Sequence, residues 1–278
     1  MKLKFLLLAV ILGSLSLFAC SDDDNYKPTQ ELEEALAAKY PNATRISWEK
    51  KGIYRVAEFR LNNQEVHAWF DHSGGWYMTE TELKTIAALP AKVQEGFRNS
   101  EYAAWKVDDV DKVERPDSEP VYIIEVEQGK QEIDLYYSEE GILVKTVTDD
   151  HSKPEDHLTN NLPVSVKSFI QEHYPNARII EYEIENGNLE VDILDENNKA
   201  KEVVFNNKNE WVYTKYEVLR SNVPQNVMDA LSASQYKDYA IDDIDFYETP
   251  AISYYRFELE SGNKEVKIDI DTTGNIMQ

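Results

Sequence analysis

The sequence predicts an α+β protein of tandem domains, each made of two units in which one helix precedes about four short antiparallel strands. Three observations predict it. The chain resembles itself at a displacement of about 134 residues, each half divides again at 61 residues, and within each unit the apolar period drops from helical to two.

The long repeat is read from matched turns and apolar positions. Lys39-Tyr40-Pro41-Asn42-Ala43 returns as His173-Tyr174-Pro175-Asn176-Ala177, and Leu89-Pro90 as Val223-Pro224, each displaced by 134. Val107-Asp108-Asp109-Val110-Asp111 returns as Ile241-Asp242-Asp243-Ile244-Asp245 at the same displacement. Trp76 and Thr79 match Trp211 and Thr214 at 135, while Glu127-Gln128-Gly129 and Glu260-Ser261-Gly262 match at 133. Single-residue insertions in loops produce drift of this size.

In chain order, the N-terminus comes first. Met1-Lys2-Leu3-Lys4 is a basic start, Phe5 to Leu12 an apolar run, and Leu17-Phe18-Ala19-Cys20 ends it. A basic start, a short apolar core and small residues before a cut make a secretory signal, predicted over residues 1–19. The ending resembles the bacterial lipobox, which implies that Cys20, the sole cysteine, is acylated. Each buried methylene contributes about 0.8 kcal/mol, so two or three chains anchor the protein to a membrane. Ser21-Asp22-Asp23-Asp24 opens an acidic tether over residues 20–28 and resembles the surface-export signal of Bacteroidetes lipoproteins; otherwise it is a solvated spacer. The expected location is the cell envelope, as an outward-facing outer-membrane lipoprotein.

The first domain is predicted over residues 29–150. Its first helix carries Leu32, Ala35, Leu36 and Tyr40 at helical spacing, and its second carries Val93 and Phe97. Residues 151–160 contain His151-Ser152-Lys153-Pro154-Glu155-Asp156, which breaks both periods and reads as a linker. The second domain, residues 161–278, repeats the scheme with Val166, Phe169, Ile170 and Tyr174, then Val227, Ala230 and Leu231. Leu32 to Val93 and Val166 to Val227 are both 61 residues, whereas Val93 to Val166 is 73, which places the boundary in the linker. Strands follow each helix: Leu189-Glu190-Val191-Asp192-Ile193 and Val266-Lys267-Ile268-Asp269-Ile270-Asp271 alternate strictly, as strands buried on one face do. Turn residues separate them, among them Asn62-Asn63, Ser73-Gly74-Gly75, Glu139-Glu140-Gly141, Asn206-Asn207 and Thr273-Gly274.

A lipobox, helix-then-strand units in tandem and a Tyr-Pro-Asn-Ala ending the helix together resemble the β-lactamase-inhibitor-like, PepSY-like proteins of Bacteroidetes. The resemblance spans about Thr29 to Gln278. It implies a curved antiparallel sheet with helices on one face, and a non-enzymatic role in binding or inhibiting a protein or peptide. The chain departs from the secreted β-lactamase inhibitor in having no disulfide, and shared fold alone does not name a target.

Composition narrows the function further. The net charge is −23, and loss of residues 1–19 with Lys2 and Lys4 takes it to −25. So acidic a body repels nucleic-acid phosphates. The 42% hydrophobic and 11% aromatic content is too high for a disordered acidic tail. Nucleophilic catalysis lacks its parts: there is no Gly-x-Ser-x-Gly, and His67, His72, His151, His157 and His173 do not recur at repeat-equivalent positions. No cofactor is expected except calcium, for which Asp108, Asp109, Asp111 and Asp242, Asp243, Asp245 offer clustered oxygens. The alternative makes these aspartates solvated strand-entry turns, with Val110 and Ile244 pointing inward. Asp269 to Gly274 imitates the start of an EF-hand loop, but the closing glutamate is missing.

The expected binding surface is the face of the sheet away from the helices. With Val66, Ala68 and Phe70 inward, alternation puts His67 and Trp69 outward, and Tyr136 falls with Asp134. Exposed aromatics among carboxylates suit a protein or peptide partner, which is the function expected; a calcium-responsive module and a surface glycan-binding lipoprotein are the alternatives. Trp76 and Trp211, in repeat-equivalent positions, are expected in the core.

Overall fold

The computed structural model describes residues 26–149, 162–262 and 264–277. The signal segment, Cys20, the Ser21–Asp24 tract and the linker at 151–160 lie outside the described residues. Among the described residues no helix is long and apolar enough to cross a membrane.

Four helices start the four units: α1 (Gln30–Lys39), α2 (Ala91–Asn99), α3 (Val164–His173) and α4 (Gln225–Ala233). Thr29 caps α1, with Glu31 and Glu33 placed to favour its positive end, while α2, α3 and α4 begin immediately after Pro90, Pro163 and Pro224. The first sheet is an eight-stranded antiparallel meander in sequence order. It comprises β1 (Thr44–Lys51), β2 (Tyr54–Leu61), β3 (Gln64–Phe70), β4 (Trp76–Glu82), β5 (Lys106–Glu114), β6 (Val121–Gln128), β7 (Gln131–Ser138) and β8 (Leu143–Asp149). The second sheet has seven strands: β9 (Arg178–Glu185), β10 (Asn188–Leu194), β11 (Ala200–Phe205), β12 (Trp211–Glu217), β13 (Ala240–Glu248), β14 (Ser253–Ser261) and β15 (Lys264–Asp271). The expectation of four strands per unit therefore holds for three units. In the fourth, among the described residues, β15 is followed by an isolated bridge, Ile270 to Ile276, in place of a fourth strand.

Each helix lays its apolar stripe on one face of its sheet and makes one core cluster. Leu32 and Leu36 meet Ala57, Phe59, Val66, Ala68 and Phe70; Val93 and Phe97 meet Val110, Ile124, Val126 and Leu135. Val166 and Ile170 meet Val191, Ile193, Val203 and Phe205; Val227 and Leu231 meet Ile244, Phe257, Leu259 and Ile270. Trp76 and Trp211 pack half-buried against their clusters, as expected. Where α2 crosses the β7–β8 turn the backbones nearly touch: a Cβ on Gly96 would lie 2.1 Å from the Gly141 carbonyl oxygen. Gly141 itself sits at φ +78°, where a side chain is disfavoured.

A fifth cluster lies on the opposite face of the first sheet and changes the picture drawn from alternation alone. Val56, Trp69, Met78, Val113, Val121, Ile123 and Tyr136 pack there together with Ile180 and Leu194 of the second domain. The domains are joined further by the Glu119 amide donating to the Ile179 carbonyl (2.9 Å), by Arg178 pairing with Glu119 and Glu140, and by Lys167 with Asp117. Arg115 and Glu181 pair at 3.0 Å with side chains only 1% and 5% exposed.

Candidate partner-binding site

Register fixes what the second sheet presents on its helix-free face. Across the strands, Glu181 stands opposite Asp192, Asp192 opposite Glu202, Glu202 opposite Lys215, Lys215 opposite Tyr247 and Tyr247 opposite Tyr254. A second row runs Glu217, Asp245, Arg256, Asp269. The face thus grades from carboxylates, beside the first domain, to tyrosines and one arginine at the far strands.

The acidic end forms a cleft of about 710 Å³ between this face and β8 of the first domain. Among the described residues, ten carboxylates and three lysines line it. So many like charges in a partly dry space raise the cost of ionisation. Burial, then the charges of Glu202 and Glu185, push Glu190 up to about 7. Burial and Asp243 push Asp245 up to about 6, against the pull of Lys215. Asp192 is held well above the usual carboxylate range by burial, although Lys145 opposes it. For Lys145 burial acts the other way, and the carboxylates of Glu181, Asp192 and Glu183 outweigh it, keeping the ammonium charged. Lys215 donates to Glu202 at 2.7 Å and Lys145 reaches Glu183.

The far end is aromatic and pre-set. Tyr247 and Tyr254 stack with ring centroids 5.0 Å apart and planes 3° from parallel, and Tyr213 lies 5.4 Å from Tyr247. Arg256 spans the pair, 4.8 Å from the Tyr247 centroid and 5.7 Å from that of Tyr254. Its guanidinium is fixed by two 2.8 Å bonds to Asp269. These side chains have already surrendered their rotamer freedom, which lowers the entropic cost of contact.

The surface expected from sequence is placed differently. His67 is half-buried on β3, opposite Glu58 and Glu80. Trp69, however, is 0% exposed and Tyr136 is 6% exposed. Both point away from the helices, as alternation requires, but into the fifth cluster. Tyr54 packs edge-on to Trp69 at 6.1 Å, and Lys51 lies 5.3 Å from its ring. They are core residues, and the expectation that they form a wet binding surface is corrected. Tyr213 and Tyr254 are half-buried on this face and Tyr247 beneath them is 9% exposed; the sequence signal for them is the alternation Tyr255-Arg256-Phe257, which puts Tyr254 on the same face as Arg256.

The repeated aspartates mark a backbone feature. Register shifts fall between Val107 and Asp109 in β5 and between Ile241 and Asp243 in β13, so Asp108 and Asp242 are the extra residues of equivalent β-bulges. Asp108 accepts from Lys106 at 3.0 Å. Asp111 lies on the helix-free face, where burial and Glu80, Asp109 and Glu82 push it up to about 8, while Asp243 and Asp245 line the cleft. Among the described residues neither cluster brings three ligand atoms within 4.8 Å of one another.

Comparison with known proteins adds the lineage. The β-lactamase-inhibitor-like, PepSY-like family matches residues 53–145 and 188–278. The chain belongs to this family. Among solved structures, a BLIP-like protein from Bacteroides fragilis is 42% identical, covering 48% of this chain and 99% of that one at a TM-score of 0.45. A DUF2874 family protein from Bacteroides ovatus is 31% identical, covering 44% and 89% at a TM-score of 0.42. Each of these two proteins is about the length of one of the two domains here. A search of curated proteins finds no match.

Proposed function

We propose that this PepSY-like protein is a non-enzymatic envelope protein that binds a protein or peptide partner across the helix-free face of its second domain. One observation carries the reading: Tyr213, Tyr254 and Arg256, held in place by the buried Tyr247 and continuous with the acidic cleft. Tyrosine and arginine, rigid and amphipathic, are the residues that dominate protein interfaces. The adjoining carboxylates favour a partner that brings lysine or arginine to the cleft. An inhibitory role follows if that partner is an enzyme, as the family's description suggests. Cys20, with Ser21, Asp22, Asp23 and Asp24, would hold the body on the outer membrane, facing outward.

The test is cross-linking in the native envelope with a photoreactive residue in place of Tyr254, repeated with Arg256→Ala. A single adduct that disappears with Arg256→Ala supports the reading. Adducts that are absent, or that persist unchanged without Arg256, reject it. A glycan in the adduct would move the protein to the sugar-binding class.

A further inference from the structure

The geometry points to a transition-metal site on the first domain, formed by Glu58, Glu65 and His67, that takes a divalent ion of the zinc type. One ligand atom of each residue lies within 4.8 Å of the others, and among the described residues this is the one such group. The site stands on a short hairpin. Asn62 and Asn63, at φ 52° and 70°, close a two-residue turn between β2 and β3, which pins the register. That register sets Glu58 opposite His67, with Glu65 two residues before His67 on the same strand face. A paired hairpin supplies the rigid base that a metal site needs.

The donor set selects the ion. Two carboxylates and one imidazole suit zinc and its neighbours, whereas calcium and magnesium prefer oxygen alone. Zinc holds such donors at about 2.0–2.2 Å, which these half-buried and exposed side chains reach by small rotations, leaving a position for water.

The second domain provides an internal contrast. By register the row Glu58, His67, Glu80 corresponds to Asp192, Glu202, Lys215. There the acidic pair is balanced from within, since Lys215 bonds Glu202 at 2.7 Å and Lys145 approaches Asp192. In the first domain the corresponding row has an imidazole at its centre and no lysine. The nearby cation is Arg60, which pairs with Glu65 at 3.1 Å and must release it when a metal enters.

Calorimetric titration of zinc into the full chain carrying Cys20→Ser, so that the thiol does not compete, tests the site. The expected result is one saturable site, weakened at least tenfold by His67→Ala and severalfold by Glu58→Gln. Arg60→Gln should tighten it severalfold by freeing Glu65, an effect that diffuse binding to an acidic surface would not show. Binding that is absent in the parent chain, or unchanged in both His67→Ala and Glu58→Gln, overturns the proposal.

Discussion

Trp69 shows how far one residue can be read from sequence. Alternation along β3 gives its direction correctly, because side chains in a strand must alternate. What lies in that direction is another matter, since it depends on Val113, Ile123 and Ile180, whose strands come from far along the chain. Trp69→Ala should therefore cost about 3–5 kcal/mol of stability, as removal of a large core side chain does. A melting curve checks this, and a variant that melts like the parent would return Trp69 to the surface. Gly96 makes a second residue-scale prediction. Its missing Cβ lets α2 approach the Gly141 turn, so Gly96→Ala should destabilise by about 2 kcal/mol through overpacking, seen as a lower melting temperature.

At the scale of elements, the repeated Tyr-Pro-Asn-Ala is explained by what its tyrosine does. Tyr174 ends α3 with its amide on the Ile170 carbonyl at 2.8 Å, while its hydroxyl meets Thr214 Oγ1 at 2.6 Å. Trp211 donates to the same oxygen at 3.1 Å. Tyr40, Trp76 and Thr79 repeat the arrangement, with Trp76 donating at 2.9 Å and Tyr40 in contact with Thr79 Oγ1. One buried threonine thus ties helix end to sheet in each domain. Thr214→Val should cost about 1–3 kcal/mol, because the Tyr174 hydroxyl and the Trp211 indole N–H each lose a bond to it, and denaturant unfolding measures it. The helices and strands were legible in the sequence because local periodicity specifies them. The bulges in β5 and β13 are not legible from sequence, although the repeated Asp-Asp marks the places, since a bulge is defined by its partner strand. The three-strand fourth unit was hidden for a similar reason: pairing needs an acceptor edge as well as an apolar pattern.

At the scale of the molecule, the interface between the domains decides which face is open. No local pattern announced it: Arg115 and Glu181 are 66 residues apart, and their pairing appears only when both sheets are folded. Arg115→Met should destabilise by about 3–5 kcal/mol by leaving the Glu181 charge buried, whereas the double change Arg115→Met with Glu181→Met should recover most of it. Chemical denaturation of the two variants separates these outcomes. The cleft also sets a pH dependence. Glu190 and Asp245 have folded-state values of about 7 and about 6, above the ordinary carboxylate value of about 4. The folded state therefore holds more protons than the unfolded chain in that window. The stability contributed by these groups is full below about pH 4 and is lost as pH rises through 6 to 7. The melting temperature should rise as pH is lowered from 8 to 6, and Asp245→Asn should flatten part of that slope.

If the second domain binds its partner through the tyrosine face, Tyr213 and Tyr254 are accessible in the free protein while Trp69 and Tyr136 stay closed in the core. Hydroxyl-radical footprinting, read residue by residue in the free protein and in the presence of native envelope, tests this most directly. The prediction is oxidation of Tyr213 and Tyr254 in the free protein, their protection in the presence of envelope, and little reaction at Trp69 and Tyr136 in either state. Trp69 and Tyr136 reacting as readily as Tyr254 in the free protein, or envelope protection falling away from the second domain's face, would contradict it.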